Sequence, residues 1–251
     1  MRVLVVGGTG NVGKLLLQQL LERGVEVRAI VRSPESIPAT ISGNPKLSLI
    51  EASLLDISED ELITHIRGCD AVMSTLGHNM HLGSIPFLGI WAAPHDLVLR
   101  ASKNLCGAIE KIRPETPIKF ILLNTVGVTN PAGTDVGVRS RTERAIFWTL
   151  EALIPPHKDN VRAAEYINKE IGTGNQFIEW TAVRPDAFID GDVSEYTTHE
   201  SIQHSLFDVN DTTKANIAHF MAELATNPET WATWKGKMPV IIDAKQKKQH
   251  Q

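Results

Sequence analysis

A chain of 251 residues with 42% hydrophobic and 22% charged side chains has the make-up of a globular protein, long enough to bury a sizeable core as one large α/β domain or two small ones. Its formal charge of −4 supplies no basic field to draw in nucleic acid or an anionic membrane. No apolar run approaches the ~20 residues of a membrane span.

RVLVV (2–6) is a continuous apolar run, the pattern of a strand covered on both faces. Gly7, Gly8, Gly10 and Gly13 follow within GGTGNVG, and Asn11 to Arg23 reads as an amphipathic helix stopped by Gly24. Residues 25–32 form the second predicted strand, 46–56 a third strand with its exit loop, 59–70 a short helix and 71–77 a fourth strand. Residues 77–94 are irregular and rich in glycine, proline and bulky apolar side chains. Helix signals resume at His95-Asp96 and run to Ile112, and a fifth strand spans 119–125. After a second irregular patch (126–137), residues 139–154 read as a helix stopped by Pro155-Pro156. Asp159 is then expected to cap a helix over 160–172. A sixth strand covers 177–185, a late helix 212–227 and a last strand 237–243. Strands alternating with helices predict a doubly wound, mostly parallel sheet of the Rossmann type. One domain is expected over 1–243, with substrate-side loops at 77–94, 126–160 and 186–211 and a flexible basic tail at 244–251.

The two cysteines, Cys69 and Cys106, lack CxxC partners and fit a reducing compartment rather than a disulfide framework or metal site. Met1 runs directly into the first strand with no signal-peptide pattern, so the expected location is cytoplasmic.

GGTGNVG satisfies G-x-G-x-x-G from Gly8 and G-x-x-G-x-x-G from Gly7. Between a buried strand and a helix, this is the context in which bare backbone N–H groups and a helix N-terminus hold a pyrophosphate. The second strand ends Val31-Arg32-Ser33, with Arg32 nineteen residues after Gly13 and no acidic residue to hold a ribose 2′-hydroxyl. A guanidinium there binds a 2′-phosphate through charge-assisted hydrogen bonds, which favours NADP(H) over NAD(H).

With STLG (74–77) after the fourth strand and TAVRP (181–185) ending the sixth, the chain resembles the atypical short-chain dehydrogenase/reductase family, in its NmrA-like and NAD(P)H-reductase branches. The resemblance implies that Thr9, Gly10, Asn11 and Val12 line the pyrophosphate and that Arg32 takes the 2′-phosphate. It places Ser53 and Leu54 beside the adenine, although the acidic residue the family carries near Ser53 is missing. Thr75, Leu76 and Gly77 would line the ribose side. Asn124, Thr125 and Pro185 would stand near the nicotinamide.

The wider family's Tyr-x-x-x-Lys is absent: Glu170 follows Tyr166 by four residues, and Glu200 follows Tyr196. A better register puts His157 at the tyrosine position and Val161 at the lysine position. His157 is the candidate proton donor, with Asn124 and Thr125 as companions at the reacting end. Tyr166 is expected to pack within its helix. His78, His81 and His95 include an H-x-x-H spacing, but no Cys or carboxylate clusters with them, and no metal is expected. Phe87, Leu88, Ile90 and Trp91 suit an apolar flap over the reacting end. The expected function is hydride transfer from NADPH to a small planar or apolar acceptor such as a quinone, flavin or carbonyl-like compound. The alternative is a dinucleotide-sensing regulator or scaffold that binds a protein partner without turnover. The oligomeric state is left open.

Overall fold

The computed structural model describes residues 1–78, 81–82, 85–86, 93–205, 208 and 210–244. The architecture grows outward from β1 (Arg2–Val6), whose alternate side chains serve two cores. Val3 and Val5 pack on one face of the sheet, Leu4 and Val6 on the other. This two-sided burial explains why the strand reads as an unbroken apolar run.

After β1 come α1 (Asn11–Glu22), β2 (Glu26–Val31), the short α2 (Ala39–Ser42), β3 (Leu47–Glu51), α3 (Glu59–Ile66) and β4 (Ala71–Ser74). A two-residue pair, β5 (His81–Leu82) and β6 (Ile85–Pro86), precedes α4 (Leu97–Ile112) and β7 (Ile118–Leu123). Then follow α5 (Arg141–Leu153), α6 (Pro155–Glu165), a π-helical turn at Tyr166–Ile171, and β8 (Ile178–Pro185). The chain continues through β9 (Ala187–Ile189), β10 (Tyr196–His199), β11 (Asp211–Thr213), α7 (Lys214–Thr226), α8 (Pro228–Trp234) and β12 (Val240–Asp243).

Eight strands form the main sheet in the order β3-β2-β1-β4-β7-β8-β12-β10. All its pairings are parallel except that of β10 with β12. Leu16, Leu17 and Leu20 of α1 join Phe220, Met221 and Leu224 of α7 on one face. Leu62 and Ile66 of α3, Leu105 and Ile109 of α4, and Ala163 of α6 cover the other. The expected doubly wound sheet is therefore what forms. Its order reverses between β1 and β4, where such sheets open a crevice at their carboxyl ends.

Three local expectations are corrected. The helix expected over 160–172 begins five residues earlier, at Pro155, because Pro155 and Pro156 occupy first-turn positions where no N–H is needed. The late helix starts at Lys214, since the Thr213 side chain accepts from Asn216 N as its cap. Residues 186–211, expected as loop, contain β9 and β10 and the start of β11. The flap residues Phe87, Leu88, Ile90 and Trp91 lie outside the described residues, as does most of the basic tail.

Candidate functional site

The crevice is made by contact between the exits of β1 and β4. Gly7 takes φ +83, and a Cβ built on it would sit 2.7 Å from the carbonyl carbon of Thr75, so neither conformation nor space admits a side chain. Gly13 is equally constrained, because its Cβ would lie 2.1 Å from the Gly7 carbonyl oxygen where α1 crosses the turn. Gly10 is the extended N-cap of α1 and provides no side-chain cap, and the first turn holds no acidic residue. By contrast α3 and α5 each carry a full capping box, Ser58 with Glu61 and Ser140 with Glu143. The first-turn amides of α1 are left for an external anion.

A cleft of about 800 Å³ opens in front of this turn. Gly7, Thr9 and Gly10 line it from the glycine turn, Arg32 from the end of β2, Ser53 and Leu54 from beyond β3, and Thr75, Leu76 and Gly77 from beyond β4. Arg32 is exposed, with no hydrogen-bond partner among the described residues. Leu55 and Asp56 join the wall beyond Ser53, and Leu97 and Arg100 of α4 close the far side. Gly8 and Val12 are buried, Val12 in the core beneath α1, whereas Asn11 is exposed. These features fit a dinucleotide's adenosine and phosphate portions: a cradle without side chains, uncapped helix donors and a free cation.

The residues expected at the reacting end are not among those lining this cleft. Asn124 is buried and its amide is committed, accepting from Thr125 N (2.8 Å) and donating to the Asn160 carbonyl (3.1 Å). Thr125 Oγ1 accepts from Gly127 N, and the His157 ring stands beside Gly127, where a built Cβ would meet it at 3.6 Å. His157 also faces Phe147, with ring centroids 5.8 Å apart. Burial first, and the Arg139 cation second, hold its pKa below the usual histidine value. Pro185 is buried and paired with Ile241 of β12. Tyr166 packs inward as expected, with burial pushing its phenol well above the ordinary range. Lys169 points away to Glu165 at 2.7 Å, so these two residues form no acid–base pair.

Two buried polar centres brace the site and were invisible in the sequence. Asp159 of α6, 0% exposed, accepts from Val98 N (2.7 Å) and Leu99 N (3.0 Å), capping α4 from a distance of sixty residues, and bonds His78 Nε2 at 2.7 Å. It thereby pins the cleft residue His78 and the start of α4 together. Arg184 Nη1 meets Asp135 at 2.5 Å with both side chains 0% exposed. Asp135 also accepts from Asn130 N and Ile202 N, and Arg184 Nε donates to the Met238 carbonyl. This centre fixes the segment after β7 against β8 and the β12 approach. Only a tertiary contact reveals either role. The one signal in the chain is an arginine near the end of a strand, directly after the apolar residues Ala182 and Val183.

A family model described as NAD(P)H-binding matches residues 7–228, almost the whole described fold and all of the glycine turn. The chain belongs to this NAD(P)H-binding family. Among curated relatives, this NAD(P)H-binding chain is 36% identical over 187 residues to an uncharacterised chloroplast protein of Arabidopsis thaliana, a match covering 73% of the chain and 58% of the relative. It spans less than two thirds of the length of the curated relatives it matches, 19%, 42% and 58% of three of them. Among solved structures, a Lactococcus lactis oxidoreductase is similar at TM-score 0.65 and 21% identity, covering 98% of this chain and 92% of that one. A wide-type short-chain dehydrogenase/reductase from Veillonella parvula, solved with NADP, is similar at TM-score 0.66 and 14% identity, covering 97% and 95%. Both structures share the fold found here.

Proposed function

We propose that this chain is an NADP(H)-dependent oxidoreductase that reduces a small planar or apolar acceptor without a Tyr–Lys pair. The observation that carries the cofactor choice is Arg32, an exposed cation on the cleft wall at the end of β2, with no acidic residue at that strand end. A carboxylate there would repel a 2′-phosphate, whereas a guanidinium binds one at roughly twice the strength of a neutral hydrogen bond. The NADP bound to the Veillonella protein supports the same reading.

In this reading the uncapped first turn of α1 holds the pyrophosphate, Arg32 the 2′-phosphate, and Ser53 and Leu54 flank the adenine. The cofactor supplies a hydride when bound. Thr125 and His157 form the boundary of the reacting end, and burial keeps the His157 ring neutral at pH 7. Reduction of a quinone or flavin leaves a weakly basic product, for which a general acid worth about 10²–10⁴-fold elsewhere is dispensable. An alkoxide product would need that acid.

The test is direct binding of NADPH and NADH, followed by a screen of NADPH oxidation with quinones, flavins and carbonyl compounds. Submicromolar NADPH binding and turnover on one acceptor class are expected. Tight binding with no turnover on any class would replace this reading with dinucleotide sensing. Failure to bind either dinucleotide would remove both.

A further inference from the structure

Among the described residues, Arg139 is the cation with buried N–H groups that lack a hydrogen-bond partner. Its guanidinium lies over the Phe147 ring, with Cζ 3.6 Å from the centroid, and Nη2 donates to the Val126 carbonyl. Nε and Nη1 are both buried and have no hydrogen-bond partner among the described residues. Asp135, Glu143 and Asp186 attract its charge from nearby, but none of them accepts a hydrogen bond from Nε or Nη1. Asp135 is bound to Arg184, and Glu143 closes the Ser140 capping box. Two buried donors without acceptors carry a desolvation cost that an acceptor brought by a ligand would remove.

Arg139 is also one of the residues lining a separate cavity of about 310 Å³, the lower end of the range of ligand pockets. Phe147, Trp148 and His157 give it flat aromatic surfaces, and Arg144 adds a second, exposed cation. Lys169 and Glu165 on the wall neutralise one another, and Glu151 also borders the space. The floor is Gly127, two residues beyond Thr125, and the absence of a side chain there keeps the approach to His157 open.

We propose that this cavity binds the anionic group of a planar aromatic ligand, with Arg139 as the anion's partner and the Phe147–Trp148–His157 surface against the ring. Resting on the reductase reading above, this makes the acceptor a planar carboxylate, or a compound with an equivalent oxyanion. Its anionic end is anchored at Arg139, and its ring extends toward Thr125.

Calorimetric titration of the full-length protein with 2-naphthoate and with the neutral isostere 2-naphthamide tests this without any mutation. Naphthoate is expected to bind at least 10-fold more tightly than the amide, as one charge-assisted hydrogen bond predicts. Equal binding of the two, or none of either, would overturn the proposal. Arg139→Gln should abolish the difference while leaving NADPH binding intact. If that variant fails to fold, Arg139→Lys should retain part of the preference, and retention of the full preference by a folded Arg139→Gln would also overturn the proposal. NADPH titration in the same samples separates the two readings. Loss of NADPH binding refutes the reductase, whereas loss of naphthoate selectivity refutes this site.

Discussion

Glycines of one motif are restricted for different reasons, and their substitutions should separate. Gly13→Ala drives a methyl into the Gly7 carbonyl at 2.1 Å and should cost about 2–3 kcal/mol in urea unfolding or prevent folding. Gly77, with nothing within 4 Å of its built Cβ, should accept alanine within about 0.5 kcal/mol. Arg32→Ala is expected to weaken NADPH binding about 10–100-fold and leave NADH binding unchanged, read by nicotinamide fluorescence. His157 and His219 both have pKa values lowered below 6.5, chiefly by burial and then by Arg139 and Arg23 respectively. The unfolded chain therefore binds protons more readily, so stability is complete above pH 6.5 and declines as pH falls below it. Melting temperatures between pH 7.5 and 5.5 should show this decline, and His157→Asn should flatten part of it. The glycine turn and Arg32 were legible because they are local signals with fixed spacing. Arg139 was not, since its meaning depends on Phe147 lying under it and on neighbouring carboxylates being taken.

Between elements, long-range polar contacts do what sequence-adjacent caps usually do. Asp96 stands at the N-cap of α4 without a side-chain cap bond, and Asp159 caps that helix from α6 instead. Asp159→Ala removes the cap and strands His78 and two backbone donors. Together these predict a loss of about 2–4 kcal/mol, measurable by denaturant unfolding. An aspartate three residues after a proline pair resembles an N-cap in sequence, so the sequence alone points Asp159 to α6 and not to the helix it caps. The proline pair also misled, since proline both stops one helix and starts the next. Strands β9 to β11 escaped notice for a simpler reason: they are three or four residues long, and Tyr196–His199 is polar on both sides.

At the scale of the molecule, alternation of buried strands and helices made the doubly wound class readable, while the strand order was not. Sheet order is set by which helix faces pair, and α1 with α7 joins residues two hundred positions apart. Binding of a dinucleotide to the folded chain alone should stabilise it by about 2.7 kcal/mol at a hundred times the dissociation constant. For a chain of this size that is a rise of roughly 5 °C in melting temperature, and a thermal-shift series with NADPH checks it. The last strand, β12, enters between β8 and β10 rather than at an edge. Its approach also supplies the Met238 carbonyl that receives the buried Arg184 side chain. During synthesis, β3, β2, β1 and β4 can assemble while the ribosome is still working. The far half must wait with an open seam and an unsheltered guanidinium until residues 238–243 have emerged. That interval, rather than the completed structure, is when unpaired strand edges leave the nascent chain most exposed to mispairing.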